Sequence, residues 1–189
     1  MSMIRIDTLF ASLRYCINYL LLNVVACAIP HPKLRARYLS LLGASIGKNV
    51  RIENVTFIQI QYSLRNLHCG NNVFIGSRVI LDLSEKIILD DFSIISPGSS
   101  VFTHQNIGDF NDNIVSGIYK SKYRPVHLKK YAVVCCDSTI LAGSIIGCRS
   151  VVGAKSLING EVPDDVLFAG VPAKLIRHHS MANKPAATV

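Results

Sequence analysis

The stretch "LKKYAVVCCDSTILAGSIIGCRSVVGAKSLI", residues 128 to 158, is counted in sixes. Leu128, Val134, Ile140, Ile146, Val152 and Ile158 are all aliphatic. With 50% of the chain hydrophobic, such a run arises by chance about once in sixty trials. Four positions beyond the first five of these stand Ala132, Ser138, Ser144, Ser150 and Ser156, all small. Two columns in step make coincidence untenable. A period of six matches neither the helical repeat nor simple strand alternation. It fits a short flat strand followed by a tight turn, three of which close one triangular coil. The aliphatic residue points into the prism and the small one fills the crowded corner. Coils then stack at the sheet spacing of roughly 4.8 Å.

The count extends upstream with slips. Ile46, Ile52, Ile58 and Leu64 keep the period, and Cys69, Ile75 and Leu81 resume it after a one-residue deletion. Leu89, Ile95 and Val101 resume it after a two-residue insertion, with Ser93 and Ser99 as their small partners. It stops after His104 and returns at Leu128. The predicted fold is mainly β: a parallel solenoid over 43–177 with a loop inserted at 105–127. A helical region, 1–42, caps it, and a tail, 178–189, follows. Such stacks need several coils and a capped end. The helical patterns "RIDTLFASLRYCINYLLLNVV" (5–25) and "KLRARYLSLL" (33–42) are suited to the cap.

The 189 residues carry a net charge of +8, which favours anionic partners. The cations are scattered, and no zinc-finger spacing or aromatic-rich basic strand is present, so nucleic acid is not expected. The six cysteines include no Cys-x-x-Cys pair. They read as reduced, mostly buried small residues of a cytoplasmic protein. "YCINYLLLNVVACAIP", residues 15–30, is apolar but interrupted by Asn18 and Asn23, and is short of the roughly 20 residues of a span. It either packs on the body or lies on the inner face of a membrane. In the second placement residues 4–30 make a peripheral contact, with Arg5, Arg14 and Lys33 near headgroups.

"IGKNVRI" (46–52), "IIGCRSVVGAKSLI" (145–158) and above all "VPDDVLFAGVPAKLIR" (162–177) resemble the hexapeptide-repeat acyltransferases. The resemblance covers roughly residues 43 to 177. It implies a left-handed parallel β-helix, a homotrimer, and acetyl-coenzyme A lying between neighbouring prisms. Within the family the chain looks most like acetyltransferases of sugars and bacterial surface polysaccharides. A loop leaves the coil in these enzymes just after the general-base histidine, and the matching residue is His104.

The chemistry needs such a base. A hydroxyl is a poor nucleophile at neutral pH, and an imidazole is available there as a proton acceptor. No other histidine lies within twenty residues of His104, so a metal site is not expected. A base usually has an orienting partner. Asp82 is the first candidate and Glu85 the second, and both also suit solvated turns. In the loop, Asn106, Asp109 and Asn111 are candidates for contacts with sugar hydroxyls, and loop solvation explains them equally.

The remaining site residues come from the resemblance. It sets Cys136 and Ala154 beside the pantetheine arm, Asn159 and Gly160 near the adenosine end, and Lys174 and Arg177 on the phosphates. Val133 and Cys135 depart from the tryptophan and glycine that relatives often carry, which alters the cofactor's pose. The expected activity is acetyl transfer from acetyl-coenzyme A to a sugar hydroxyl of a polysaccharide or its precursor. N-acetylation of an amino sugar nucleotide, a covalent route through Cys135 or Cys136, and a non-catalytic scaffold are the alternatives.

Overall fold

The structure, a computed structural model, describes residues 3–106 and 118–179. Asp109, Asn111 and residues 180–189 lie outside the described residues. The chain enters through α1 (Met3–Tyr19), which continues through a π-helical turn (Leu20–Val25) into α2 (Ala26–Ala28). Then α3 (Pro32–Leu41) leads to the first coil. His31 accepts from the Lys33 amide and caps α3, with Pro32 at its first position, where no amide is missed.

The coils follow in threes. The first holds β1 (Ser45–Ile46), β2 (Arg51–Ile52) and β3 (Thr56–Ile58). The second holds β4 (Leu67–Cys69), β5 (Phe74–Ile75) and β6 (Ile80–Asp82), and the third β7 (Ile87–Leu89), β8 (Ile94–Ile95) and β9 (Ser100–Val101). An antiparallel ribbon of β10 (His104–Gln105) and β11 (Lys122–Tyr123) then leaves the prism. The fourth coil has β12 (Val126–Leu128), β13 (Val133–Val134) and β14 (Thr139–Ile140). The fifth has β15 (Ile145–Ile146), β16 (Val151–Val152) and β17 (Leu157–Ile158). A last turn, β18 (Glu161–Val162), β19 (Val166–Gly170) and β20 (Ala173–His178), closes the stack.

Three sheets result, parallel throughout except that β20 pairs antiparallel with β19. The first face is β1-β4-β7-β12-β15-β18, the second β2-β5-β8-β13-β16-β19-β20, and the third β3-β6-β9-β14-β17. The chain is a left-handed parallel β-helix with a helical N-terminal element. Its core is the predicted column: Leu128, Val134, Ile140, Ile146 and Val152 are fully buried.

The small column does more than fit. Ser138 Oγ donates to the Gly153 carbonyl at 2.9 Å and accepts from the Ser156 amide at 3.3 Å. Ser150 Oγ likewise donates to the Pro163 carbonyl at 2.5 Å and accepts from the Val166 amide at 3.2 Å. Each hydroxyl pairs backbone groups that the tight corner would leave orphaned in the interior.

Two expectations are corrected. In the first coil the inward residue of the third face is Phe57, which pairs with Leu81, while Ile58 pairs with Asp82. The deletion therefore falls before β3, not after Leu64, and a one-residue slip turns each side chain to the other face. Leu64 is the buried residue of a 3₁₀ turn, Leu64–Asn66. The excursion is also narrower than 105–127, because Val126 pairs with Ile87 and is buried in the coil.

Asn18 and Asn23, read as interruptions, are what seat the helix. Asn23 Nδ2 donates to the Phe57 carbonyl at 3.0 Å and Asn23 Oδ1 accepts from its amide at 2.8 Å. Asn18 Nδ2 donates to the Ile60 carbonyl at 2.9 Å. One amide side chain thus replaces the missing neighbour of an edge strand. The buried Arg35 donates to the carbonyls of Ala26 (2.8 Å), Ile52 (2.7 Å) and Ile29 (2.5 Å), joining the helical layer to β2.

Candidate active site

Asp82 ends β6 at the corner where the third face passes to the first, and His104 opens the ribbon at the same corner one coil on. Asp82 is fully buried. Its Oδ1 accepts from the Ser84 amide (3.0 Å) and Ser84 Oγ (2.7 Å). Its Oδ2 accepts from the amides of Thr103 (2.8 Å) and His104 (3.0 Å) and lies 2.5 Å from His104 Nδ1. Burial alone would push this carboxyl up, but the hydrogen bonds from Ser84, His104 and the Ser84 and Thr103 amides outweigh it and hold it below 3.8. An ionised carboxylate facing Nδ1 keeps the proton on that nitrogen and leaves Nε2 as the acceptor.

Three further residues shape the imidazole's surroundings. Gln59 Nε2, from the corner after β3, lies 3.4 Å from His104 Nε2. Gln59 Oε1 in turn accepts from Gln61 Nε2, which fixes the amide's orientation. The Tyr123 ring, brought opposite His104 by the β10–β11 pairing, stacks on the imidazole at 6.0 Å and 18°. The His104 side chain keeps 17% of its surface exposed, so Nε2 is sheltered yet reachable. Such a dyad can take a proton from a hydroxyl brought to Nε2 and hold the imidazolium formed.

Sequence reasoning placed Asp82 and His104, and the structure brings them into contact. Glu85 is not the partner: its amide donates to Thr103 Oγ1 at 2.9 Å and its carboxylate accepts from the Lys86 amide. Ser84, Gln59 and Tyr123 were missed. Only Ser84 carried a signal, as a small polar neighbour of Asp82. Asn106 is exposed just past the ribbon strand.

The coenzyme candidates occupy two corners and one hairpin. Cys136 and Ala154 stack on the corner between the second and third faces, where the Lys155 amide donates to the Cys136 carbonyl at 2.9 Å. Asn159 and Gly160 follow β17 on the same corner as His104, two strands along the third face. At Gly160 a Cβ would meet nothing within 4 Å. Lys174 and Arg177 lie on β20 opposite Ala169 and Leu167. Three residues apart, they would point to opposite faces, but a bulge that skips Ile176 brings both to the outer side. Both are exposed, and neither joins an ion pair among the described residues. That donor set fits a chain of phosphates.

The cysteines give no support to a nucleophile at 135: burial, then the neighbouring Cys136, pushes the Cys135 thiol up. All six cysteines are free. Among the described residues no His, Cys, Asp and Glu are grouped to hold a metal.

No protein-family model matches the chain. WcaF of Escherichia coli K12, named as a colanic acid biosynthesis acetyltransferase, is 30% identical over 143 residues, 76% of this chain and 74% of WcaF. WbbJ of the same organism, named as a lipopolysaccharide biosynthesis O-acetyl transferase, is 46% identical over 46 residues. That match spans 24% of WbbJ. A crystal structure of a hexapeptide-repeat acetyltransferase from Vibrio cholerae with acetyl-coenzyme A superposes with a TM-score of 0.74. It covers 88% of this chain and 87% of its own at 21% identity, and so speaks for the fold. With the prism shared and the likeness to WcaF sustained over three quarters of both sequences, the chain belongs to the hexapeptide-repeat acetyltransferases.

Proposed function

We propose that the protein is an O-acetyltransferase that moves the acetyl group of acetyl-coenzyme A to a sugar hydroxyl of a bacterial surface polysaccharide or its precursor. One observation carries the reading: the buried Asp82 carboxylate on His104 Nδ1, with Nε2 turned outward at the point where the ribbon leaves the coil. The names of WcaF and WbbJ support the acceptor class.

The coenzyme supplies an activated acetyl thioester. As the acceptor oxygen bonds to the acetyl carbon, His104 Nε2 takes the hydroxyl proton, and Asp82 stabilises the resulting imidazolium. The carbon–sulfur bond breaks, and His104 returns the proton to the departing sulfur. Gln59 sits on Nε2 in the free enzyme and gives way to the acceptor hydroxyl. Lys174 and Arg177 would meet the phosphates, and Cys136 and Ala154 the pantetheine arm. Asn159 and Gly160 would border the adenosine end. The raised Cys135 thiol favours direct transfer over an acetyl-cysteine. We infer a homotrimer in which a neighbouring prism supplies the other wall of the coenzyme groove.

The test is incubation of the full chain with labelled acetyl-coenzyme A and a panel of bacterial glycans. An alkali-labile acetyl product is expected from an ester, whereas an alkali-stable one identifies N-acetylation. His104→Ala should bind coenzyme normally and lose turnover by about 10² to 10⁴-fold. Undiminished turnover in that variant overturns the proposal.

A further inference from the structure

The helical layer covers the first coil: α3 packs on β1 and β2, and the π-helical turn packs on β3. Its inner side is fully used, with Leu22, Ala26 and Leu39 buried. Its outer side is not. Leu9, Leu13, Ile17, Leu20 and Val24, three or four residues apart, form an apolar stripe, exposed by 48 to 69%. Leu9–Ala28 is long and apolar enough to cross a membrane, and only 11% of that span is buried. Arg14, Asn18 and Asn23 hold it against the backbone of the first coil.

Charge identifies what meets this side. Between Thr8 and Ile52 the sequence has no Asp or Glu, while Arg14, Lys33, Arg35, Arg37, Lys48 and Arg51 fall within it. Lys33, Arg37 and Lys48 line one recess of about 420 Å³ at this same end, with no carboxylate among its walls. None of the three joins an ion pair among the described residues. Tyr15 and Tyr19 are half-exposed on the same helix, the kind of residue enriched at lipid–water boundaries.

We propose that the N-terminal end of the prism docks on an anionic lipid surface. The stripe enters the boundary of the acyl chains, and the Lys33–Arg37–Lys48 recess takes headgroup phosphates. A second copy of this chain would bring the same cations against one another, with no acidic residue in the segment to pair them. The docking is independent of the transfer chemistry. It leaves His104 two coils, roughly 10 Å, beyond the first coil on which the helical layer lies.

Cosedimentation of the full chain with vesicles tests this without any assay of turnover. Vesicles of phosphatidylcholine with 30% phosphatidylglycerol should bind the protein at least tenfold better than phosphatidylcholine alone, and high salt should weaken the difference. The double variant Leu13→Glu, Ile17→Glu should abolish binding with an unchanged thermal transition, because both side chains are exposed. Replacing Lys33, Arg37 and Lys48 by alanine should lower the partition about a hundredfold. Failure to bind anionic vesicles overturns the proposal, as does unaltered binding by the glutamate variant. So does a wild type that ignores vesicles yet self-associates through the same leucine and isoleucine, since a second copy is then the occupant.

Discussion

His104 Nδ1 lies 2.5 Å from an Asp82 oxygen, and the amides of Thr103 and His104 point at that same oxygen. The carboxylate therefore holds the ring and the backbone that carries it. Asp82→Asn would turn an amide N–H toward the Ser84 amide or toward the Thr103 and His104 amides, all of them donors. Turnover should fall by about 10² to 10⁴-fold while coenzyme affinity, measured by calorimetry, stays within a factor of about two. A fall in affinity matching the fall in turnover would mark Asp82 as a fold residue only.

Acid stability follows from the same carboxylate. Hydrogen bonds overcome its burial and lower it from 3.8, so between the folded and unfolded values the unfolded chain binds more protons. Its contribution is complete above about pH 4 and is lost as pH falls through the folded value. Urea midpoints of wild type and Asp82→Asn should therefore converge below about pH 4 and stay apart above it. A constant separation from pH 6 down to pH 2 would contradict the assignment.

The cap offers a test of what stabilises the first coil. Asn23→Leu leaves the Phe57 amide and carbonyl without their partners, at a cost of about 1–3 kcal/mol. Arg35→Leu removes the donor from three carbonyls, of which, among the described residues, only that of Ala26 keeps another, the Ile29 amide, and should cost more. Both are read from urea unfolding, with the slope unchanged if the denatured state is unaffected.

The inward column and the small column were legible because each depends only on spacing along the chain, and Leu128 through Val152 are buried in that order. Register between coils was not. Phe57 rather than Ile58 faces Leu81, because a deletion anywhere in the turn gives the same count downstream. Asp82 ranks ahead of Glu85 in the sequence, and the coil register shows why: the two are three residues apart and only Asp82 returns beside His104. Gln59 and Tyr123 reach the imidazole from another coil and from the far strand of a ribbon. No local pattern announces either. Asn18 and Asn23 looked like flaws in an apolar run because their partners, Ile60 and Phe57, lie 42 and 34 residues away.

The bulge at Ile176 makes the last prediction. In an unbroken strand Lys174 and Arg177 would face opposite sides, and only one could serve an anion. The skipped residue places them opposite Ala169 and Leu167. Leu167 pairs with Val151, and the inward Phe168 beside it packs on the core, so Leu167 and Ala169 both point outward. Lys174→Ala and Arg177→Ala should then each weaken coenzyme A binding about tenfold, and the double variant about a hundredfold, each losing one charge-assisted contact. Deleting Ile176 removes the bulge but leaves Arg177 opposite Leu167, now two residues from Lys174 and on the same side of a regular strand. That variant should therefore bind coenzyme A like the wild type and unlike Arg177→Ala. Calorimetric titration with coenzyme A separates the cases, and an affinity as low as that of Arg177→Ala in the deletion variant would show that pairing with Leu167 does not aim the arginine.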